Sequence, residues 1–185
     1  MPLLPIYTYG TPVLRKKAAP VGVVGNDVVE LVMNMFETMR KAGGIGLAAT
    51  QVGELRRVIT IDLSEMEERH EDKPLVLINP VIVVSEGVSR MEEGCLSIPD
   101  VRDQVERPEF IRIRYQDSNF QENELQADRM LSRVIQHEID HLNGVLFLDH
   151  LSADQLKAHE EELQRIKRGE MEVDYPVIAA SVPPR

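Results

Sequence analysis

Residues 124–144, ELQADRMLSRVIQHEIDHLNG, decide how the rest of the chain is read. At about 100° per residue, Met130, Leu131, Val134, Ile135, Ile139 and Leu142 fill an apolar arc of about 180°. So wide an arc predicts a central, buried helix over the whole run, and Asn143 and Gly144 supply its stop.

The same helix carries chemistry. His137-Glu138-Ile139-Asp140-His141 is an HExxH sequence whose histidines lie about 40° apart on the wheel, so one turn presents both imidazoles to one ion. Glu138 sits about 60° from His141, close enough to take a proton from water held beside that ion. Two histidines leave a tetrahedral catalytic site one protein ligand short, with the last position kept for water. A zinc protease would take that ligand downstream, but Glu160, Glu161 and Glu162 fall on the wet side of a narrow-striped helix. Cys95 is the better donor: it lies in EEGCLSIP, where Gly94 permits a close approach and the neighbours are small or apolar.

Outward from this helix the pattern is mixed. The N-terminal PIYTYGTPVLRKKAAPVG is dense in Pro and Gly and reads as an irregular arm. Val28, Leu31, Val32, Met35, Phe36 and Met39 recur at helical spacing, with Asp27 as N-cap, Glu30 as its box partner and Gly43 and Gly44 as the stop. GIGLAATQVG is too rich in small residues for ordinary surface and implies backbone passing close to something. VITIDL (58–63) and VLINPVIVVS (76–85) read as strands, the second edged or broken at Pro80, with a polar excursion over 64–74 between them. EFIRIRYQD alternates Ile111, Ile113 and Tyr115 with Arg112, Arg114 and Gln116, the period of a half-buried strand, and ends in the turn DSNFQEN. A third helix is expected from a Ser152/Gln155 capping box through Arg168, followed by a tail with one short strand. The outline is one α+β domain: short, mainly antiparallel strands grouped around a central metal-binding helix, with a C-terminal helix. We place the catalytic domain at 1–170 and a C-terminal tail at 171–185.

Composition limits the partners. A chain of 185 residues with 43% apolar side chains suits one self-sufficient core. Against 31 acidic residues stand 21 basic ones, a formal charge of -10, which repels a nucleic-acid backbone and excludes nonspecific binding to it. A single Cys cannot form an internal disulfide, which favours a reducing compartment. With no basic, apolar leader and no membrane-length apolar run, the expected location is the cytoplasm.

Three separated motifs together resemble the bacterial-type peptide deformylase family: Gly44-Ile45-Gly46-Leu47-Ala48-Ala49-Thr50-Gln51, Glu93-Gly94-Cys95-Leu96-Ser97 and His137-Glu138-Ile139-Asp140-His141-Leu142-Asn143-Gly144. The matching region runs from about residue 5 to about 168, in the family's order. The resemblance implies hydrolysis of the formyl group of N-terminal formylmethionine on nascent polypeptides, with release of formate. It implies Cys95, His137 and His141 as metal ligands, Glu138 as general base and then proton donor, and Gln51 with the Leu96 amide as oxyanion donors. Gly46, Ile45 and Gly94 would border the substrate, Ile135, Met91 and Leu131 joining Ile45 as candidate walls for the methionine side chain. Asp140 would pair with Arg107. The metal implied is Fe2+, with Ni2+, Co2+ or Zn2+ as replacements, since a His2Cys set does not choose among them by softness alone. Formylmethionine-bearing nascent peptides are the expected partners, with transient ribosome contact and no membrane. A small HExxH metallopeptidase and a structural metal-binding module are the competing readings.

Overall fold

The computed structural model describes residues 2–66 and 73–181. In chain order its elements are β1 Ile6–Tyr7, α1 Asn26–Lys41, β2 Gly46–Ala48, β3 Val58–Ile61, β4 Leu75–Glu86, β5 Ser89–Cys95 and β6 Ile98–Arg107. They continue with β7 Phe110–Gln116, β8 Glu122–Asp128, α2 Arg129–Leu142, α3 Ala153–Ala158, α4 Glu160–Lys167 and β9 Val177–Ile178. Strands β2-β3-β4-β7-β8 form an antiparallel sheet, β5 and β6 a separate hairpin, and β1 and β9 a parallel pair. The architecture is α+β, as expected.

The period-two alternation puts Ile111 and Ile113 of β7 on the covered face of the sheet, where Ile59, Ile61 and Leu77 join them. Val134, Ile135, Ile139 and Leu142 of α2 close over these side chains. Each such Ile, Leu or Val contributes about 1.5–3 kcal/mol of burial, so α2 is held where its histidines must be. A second cluster packs α1 through Val28, Leu31, Met35 and Met39 against Leu47 and Val58. A third joins the β5–β6 hairpin to α4 through Ile98, Val101, Val105, Leu163 and Ile166.

Both expected glycine stops are present. After α1 the Gly43 amide donates to Arg40 O and the Gly44 amide to Met39 O, with Gly43 at φ +67°; after α2, Gly144 donates to His141 O and Val145 to Asp140 O, with Gly144 at φ +75°. These are paired bonds of the Schellman kind, which need a left-handed residue and so favour glycine.

Four expectations need correction. The helix over 124–144 begins only at Arg129, because Leu125 and Ala127 alternate inward and pair with Ile113 and Ile111 as strand β8. Helix α1 begins at Asn26 with Gly25 in the capping position and no side-chain cap. Asp27 instead accepts from Arg56 at 2.6 Å. The third helix is broken at His159 into α3 and α4, although its Ser152/Gln155 box is formed. There His159 Nε2 reaches Asp103 on β6 at 2.8 Å, and three glutamates, Glu160 to Glu162, start the next helix at its favourable positive end. Pro80 does interrupt pairing, but as a register shift inside the long β4, with Asn79 at φ +52°. Most of the polar excursion over 64–74 lies outside the described residues.

Candidate active site

Helix α2 and strand β5 meet at one point. One turn of helix separates His137 from His141, and their Nε2 atoms lie 3.2 Å apart. Cys95 ends β5 with Sγ 3.2 Å from His141 Nε2, and all three donor atoms fall within 4.8 Å of one another. Both imidazoles are buried and Cys95 is partly so.

Glu93 and Cys95 are two apart on the same strand and, despite the register shift between Gly94 and Cys95, both side chains reach α2. The Glu93 carboxylate lies 2.9 Å from His137 Nδ1, so Nδ1–H donates to it and the Nε2 lone pair is left for the shared point. Arg107 of β6 donates to both Glu93 oxygens, at 2.6 and 3.0 Å, and Arg133 of α2 adds a third bond at 2.9 Å. Burial alone would raise the Glu93 carboxyl; the bonds from His137 and Arg107 outweigh it and hold the group well below the usual carboxylate range. Arg107 also reaches Asp140 at 2.7 Å, the expected pair, and His150 shares that carboxylate at 2.7 Å. The network thus ties α2 to both strands of the hairpin.

The donor set suits a cation. Burial and the neighbouring His137 charge lower His141, whereas the Cys95 and Glu93 partners hold His137 above its ordinary value. A thiol and two Nε2 atoms converge on one point, a donor set that suits a divalent metal with three protein ligands.

Glu138 lies on the same turn of α2, buried, with Oε2 unpartnered. Its burial pushes the carboxyl up to about 7, opposed by the nearby His137 charge. Gly46 of β2 passes so close that a Cβ there would lie 2.5 Å from Glu138 Oε1 and 2.8 Å from Val134 Cγ1. Gln51 follows in a short 3-10 turn, where its Oε1 accepts from the Ala48 amide at 2.9 Å. That bond fixes the amide orientation, so Nε2 faces Ser97 Oγ at 3.2 Å and Cys95 Sγ at 3.5 Å.

A cavity of about 500 Å3 opens onto His137, Glu138 and Cys95. Ile45, Gly46, Gly94 and Leu96 are among the residues that border it. Ile135 does not: it is fully buried in the core under the sheet, and the apolar wall comes from Met130 and Val134 on the adjoining face of α2. Met91 and Leu131 are likewise absent from the wall.

The comparisons with known proteins point the same way. A family model described as polypeptide deformylase matches residues 3–157. The chain belongs to the polypeptide deformylase family. A peptide deformylase of Salinibacter ruber is 49% identical over 184 residues, spanning 95% of this chain and 94% of that protein. One of Chlorobium phaeobacteroides strain BS1 is 49% identical over 175 residues, 95% of each. Among solved structures, a Synechococcus elongatus peptide deformylase in complex with actinonin superposes with a TM-score of 0.81 at 42% identity, over 88% of this chain and 89% of that one. A peptide deformylase from Legionella pneumophila gives 0.84 at 36% identity, over 91% and 98%. This deformylase is a metal-dependent hydrolase that removes the N-terminal formyl group from nascent polypeptides.

Three residues of the site escaped the sequence reading. Glu93 stood in a quoted motif without a role, though its i, i+2 relation to Cys95 was a usable signal. Arg133, four residues before His137 on a buried helix, was a second: a buried guanidinium needs a partner. Tyr175, whose hydroxyl donates to Leu96 O at 2.9 Å, carried no local signal.

Proposed function

We propose that Cys95, His137 and His141 hold one divalent cation, Fe2+ in the cell, and that Glu138 moves the protons of deformylation. The observation that carries this reading is the convergence of the three donor atoms beside a buried carboxylate with one unpartnered oxygen. When bound, the cation supplies Lewis acidity, which acidifies water and withdraws electrons from the formyl carbonyl. Ni2+, Co2+ and Zn2+ suit the same donors.

Glu138 is set to accept a proton near neutral pH, because burial has already raised its basicity. As the formyl carbon becomes tetrahedral, Glu138 takes the proton of the attacking water and then delivers it to the departing amine. Collapse releases formate and a free α-amino terminus. The developing negative oxygen meets Gln51 Nε2, whose direction is fixed by Ala48, and the amide of Leu96. Leu96 lies in the turn between Cys95 and Ile98, which pair with each other, so its amide takes no part in the ladder.

An extended peptide fits between two free strand edges. Among the described residues β2 is an edge strand of the main sheet, and β5 pairs with β6 alone. Gly46 on one side and Gly94 on the other border the cavity and offer backbone for strand-like pairing, while the Ile45 carbonyl beside them is held by the Asp62 amide. Met130 and Val134 give the methionine side chain an apolar surface. We place the enzyme in the cytoplasm. Ribosome contact is transient, because a formal charge of -10 leaves the emerging chain as the main attraction.

The test uses protein purified without oxygen, its metal identified by elemental analysis. Formate should appear from formyl-Met-Ala and not from an acetyl-Met peptide, and Glu138→Gln should abolish it with metal retained. Internal cleavage, or metal binding without turnover, overturns the reading.

A further inference from the structure

The family model ends at residue 157, yet the chain beyond it returns to the site. Strand β9 runs parallel to β1, fixed by Ile6 N–H donating to Pro176 O at 2.8 Å and Thr8 N–H donating to Ile178 O at 2.9 Å. This ribbon grips the turn after Cys95 at both of its carbonyls. From the N-terminal arm, the Tyr9 amide donates to Ser97 O at 2.8 Å; from the C-terminal strand, the Tyr175 hydroxyl donates to Leu96 O at 2.9 Å. Gln51 Nε2 completes the grip at Ser97 Oγ. Val173 and Tyr175 themselves line the cavity, together with Gly43, Gly44 and Gly46.

We propose that Tyr175 is a positioning residue for deformylation: its bond to the Leu96 carbonyl sets the turn so that the Leu96 amide faces the formyl oxygen. The segment 171–178 thereby belongs to the catalytic unit rather than to a dispensable tail. The inference rests on the reading that Gln51 and the Leu96 amide stabilise the oxyanion. A hydroxyl suits the task, since burial pushes Tyr175 up to about 12 and keeps it a proton donor wherever the enzyme works. Its ring also walls the cavity, so loss of the hydroxyl and loss of the ring have separable effects.

Kinetics on formyl-Met-Ala with metal-loaded Tyr175→Phe, Tyr175→Ala and Gln51→Ala, alongside metal content and melting temperature, test this. Tyr175→Phe should lower kcat about fivefold, the worth of one neutral hydrogen bond, with KM and metal content unchanged and the melting temperature lowered by no more than the few degrees that one such bond is worth. Tyr175→Ala should add a rise in KM. Wild-type kcat in Tyr175→Phe, or a loss of kcat matched by a loss of metal or by a fall in melting temperature well beyond those few degrees, overturns the proposal and leaves the oxyanion reading standing. If Gln51→Ala also has wild-type kcat, the oxyanion reading fails and takes the proposal with it.

Discussion

Glu93→Gln is the substitution that most directly tests how the metal centre is held. The change keeps the shape of the side chain and removes its charge. Glu93 and both of its guanidinium partners, Arg107 and Arg133, have side chains only 4% exposed. After the change two buried cations face one remaining carboxylate, Asp140, which touches only Arg107 of the pair. Removing one member of a buried ion network costs about 3–5 kcal/mol, because the others stay desolvated without their counter-charge. That is a large share of the roughly 5–15 kcal/mol by which a domain is stable. Metal affinity should fall about 10–100-fold as well, since Glu93 fixes the tautomer and orientation of His137.

Urea unfolding of the metal-stripped protein reads the first effect free of ligand linkage, and a competition titration with Zn2+ reads the second. Glu92→Gln is the control: its side chain is 56% exposed and its nearest cation, Arg102, is 3.7 Å away, so the cost should stay within about 0.5 kcal/mol. The effect of pH has a definite sign. Glu93 is depressed in the folded state, so its contribution is fully present above the ordinary value of 4.5 and drains away as pH falls below it. The stability gap between wild type and Glu93→Gln should therefore narrow on acidification from pH 4.5 downward. A Glu93→Gln protein no less stable than Glu92→Gln, with unchanged Zn2+ affinity, would refute the account of the network.

Other expectations follow from the same geometry. Glu138→Gln should lower kcat by about 10^2–10^4 with metal content unchanged, read by formate release. In the wild type, kcat/KM should fall on acidification as Glu138 takes up its proton; the carboxyl sits at about 7 without a cation, and a bound cation moves this limb lower. Infrared titration of loaded and stripped protein should show that displacement. Gly46→Ala should cost about 10–100-fold in kcat/KM, because the new Cβ would stand 2.5 Å from Glu138 Oε1 and must displace it. Circular dichroism should show the fold intact. Cys95→Ser should release the metal in a chelator titration at far lower chelator concentration than wild type, since a hydroxyl is a poor substitute for thiolate.

Where periodicity was strong, the fold was legible. The apolar stripes of α1 and α2 and the alternation of β7 reflect burial on one face, and burial on one face is what a sequence records. The boundary at Arg129 was not legible from the helical stripe, because Ala127 falls inside the apolar arc of α2, Leu125 lies only about 40° beyond its edge, and two apolar residues are too few to establish a strand period. Only the full-length partner β7 settles the matter. The cap on α1 failed for a related reason: Asp27 has the right chemistry for capping, but Arg56, nearly thirty residues on, competes for it. Local propensity cannot see a partner that arrives through the fold.

The candidate reactive groups that the fold brings together were legible because chemistry restricts them tightly. Two imidazoles one turn apart and an unpaired thiol leave few alternatives, and Gln51 and Leu96 came with the motifs that resembled the family. The groups that hold them in place were less so. Arg133 looks like an ordinary charge on a helix until the strand carrying Glu93 lies beside it, and Tyr175 lies 79 residues from the carbonyl it holds. Hydrogen bonds of that span leave no periodic trace, since either partner could be matched by any polar group brought there by folding. The lone cysteine shows the contrast within a single turn of chain. Cys95 could be read as a candidate ligand once two histidines lacked a third, whereas the two residues after it acquire their meaning from the N-terminal arm, the C-terminal strand and Gln51 at once. A site of this kind is therefore specified at two ranges, with bond-making groups written locally and their alignment dispersed along the whole chain.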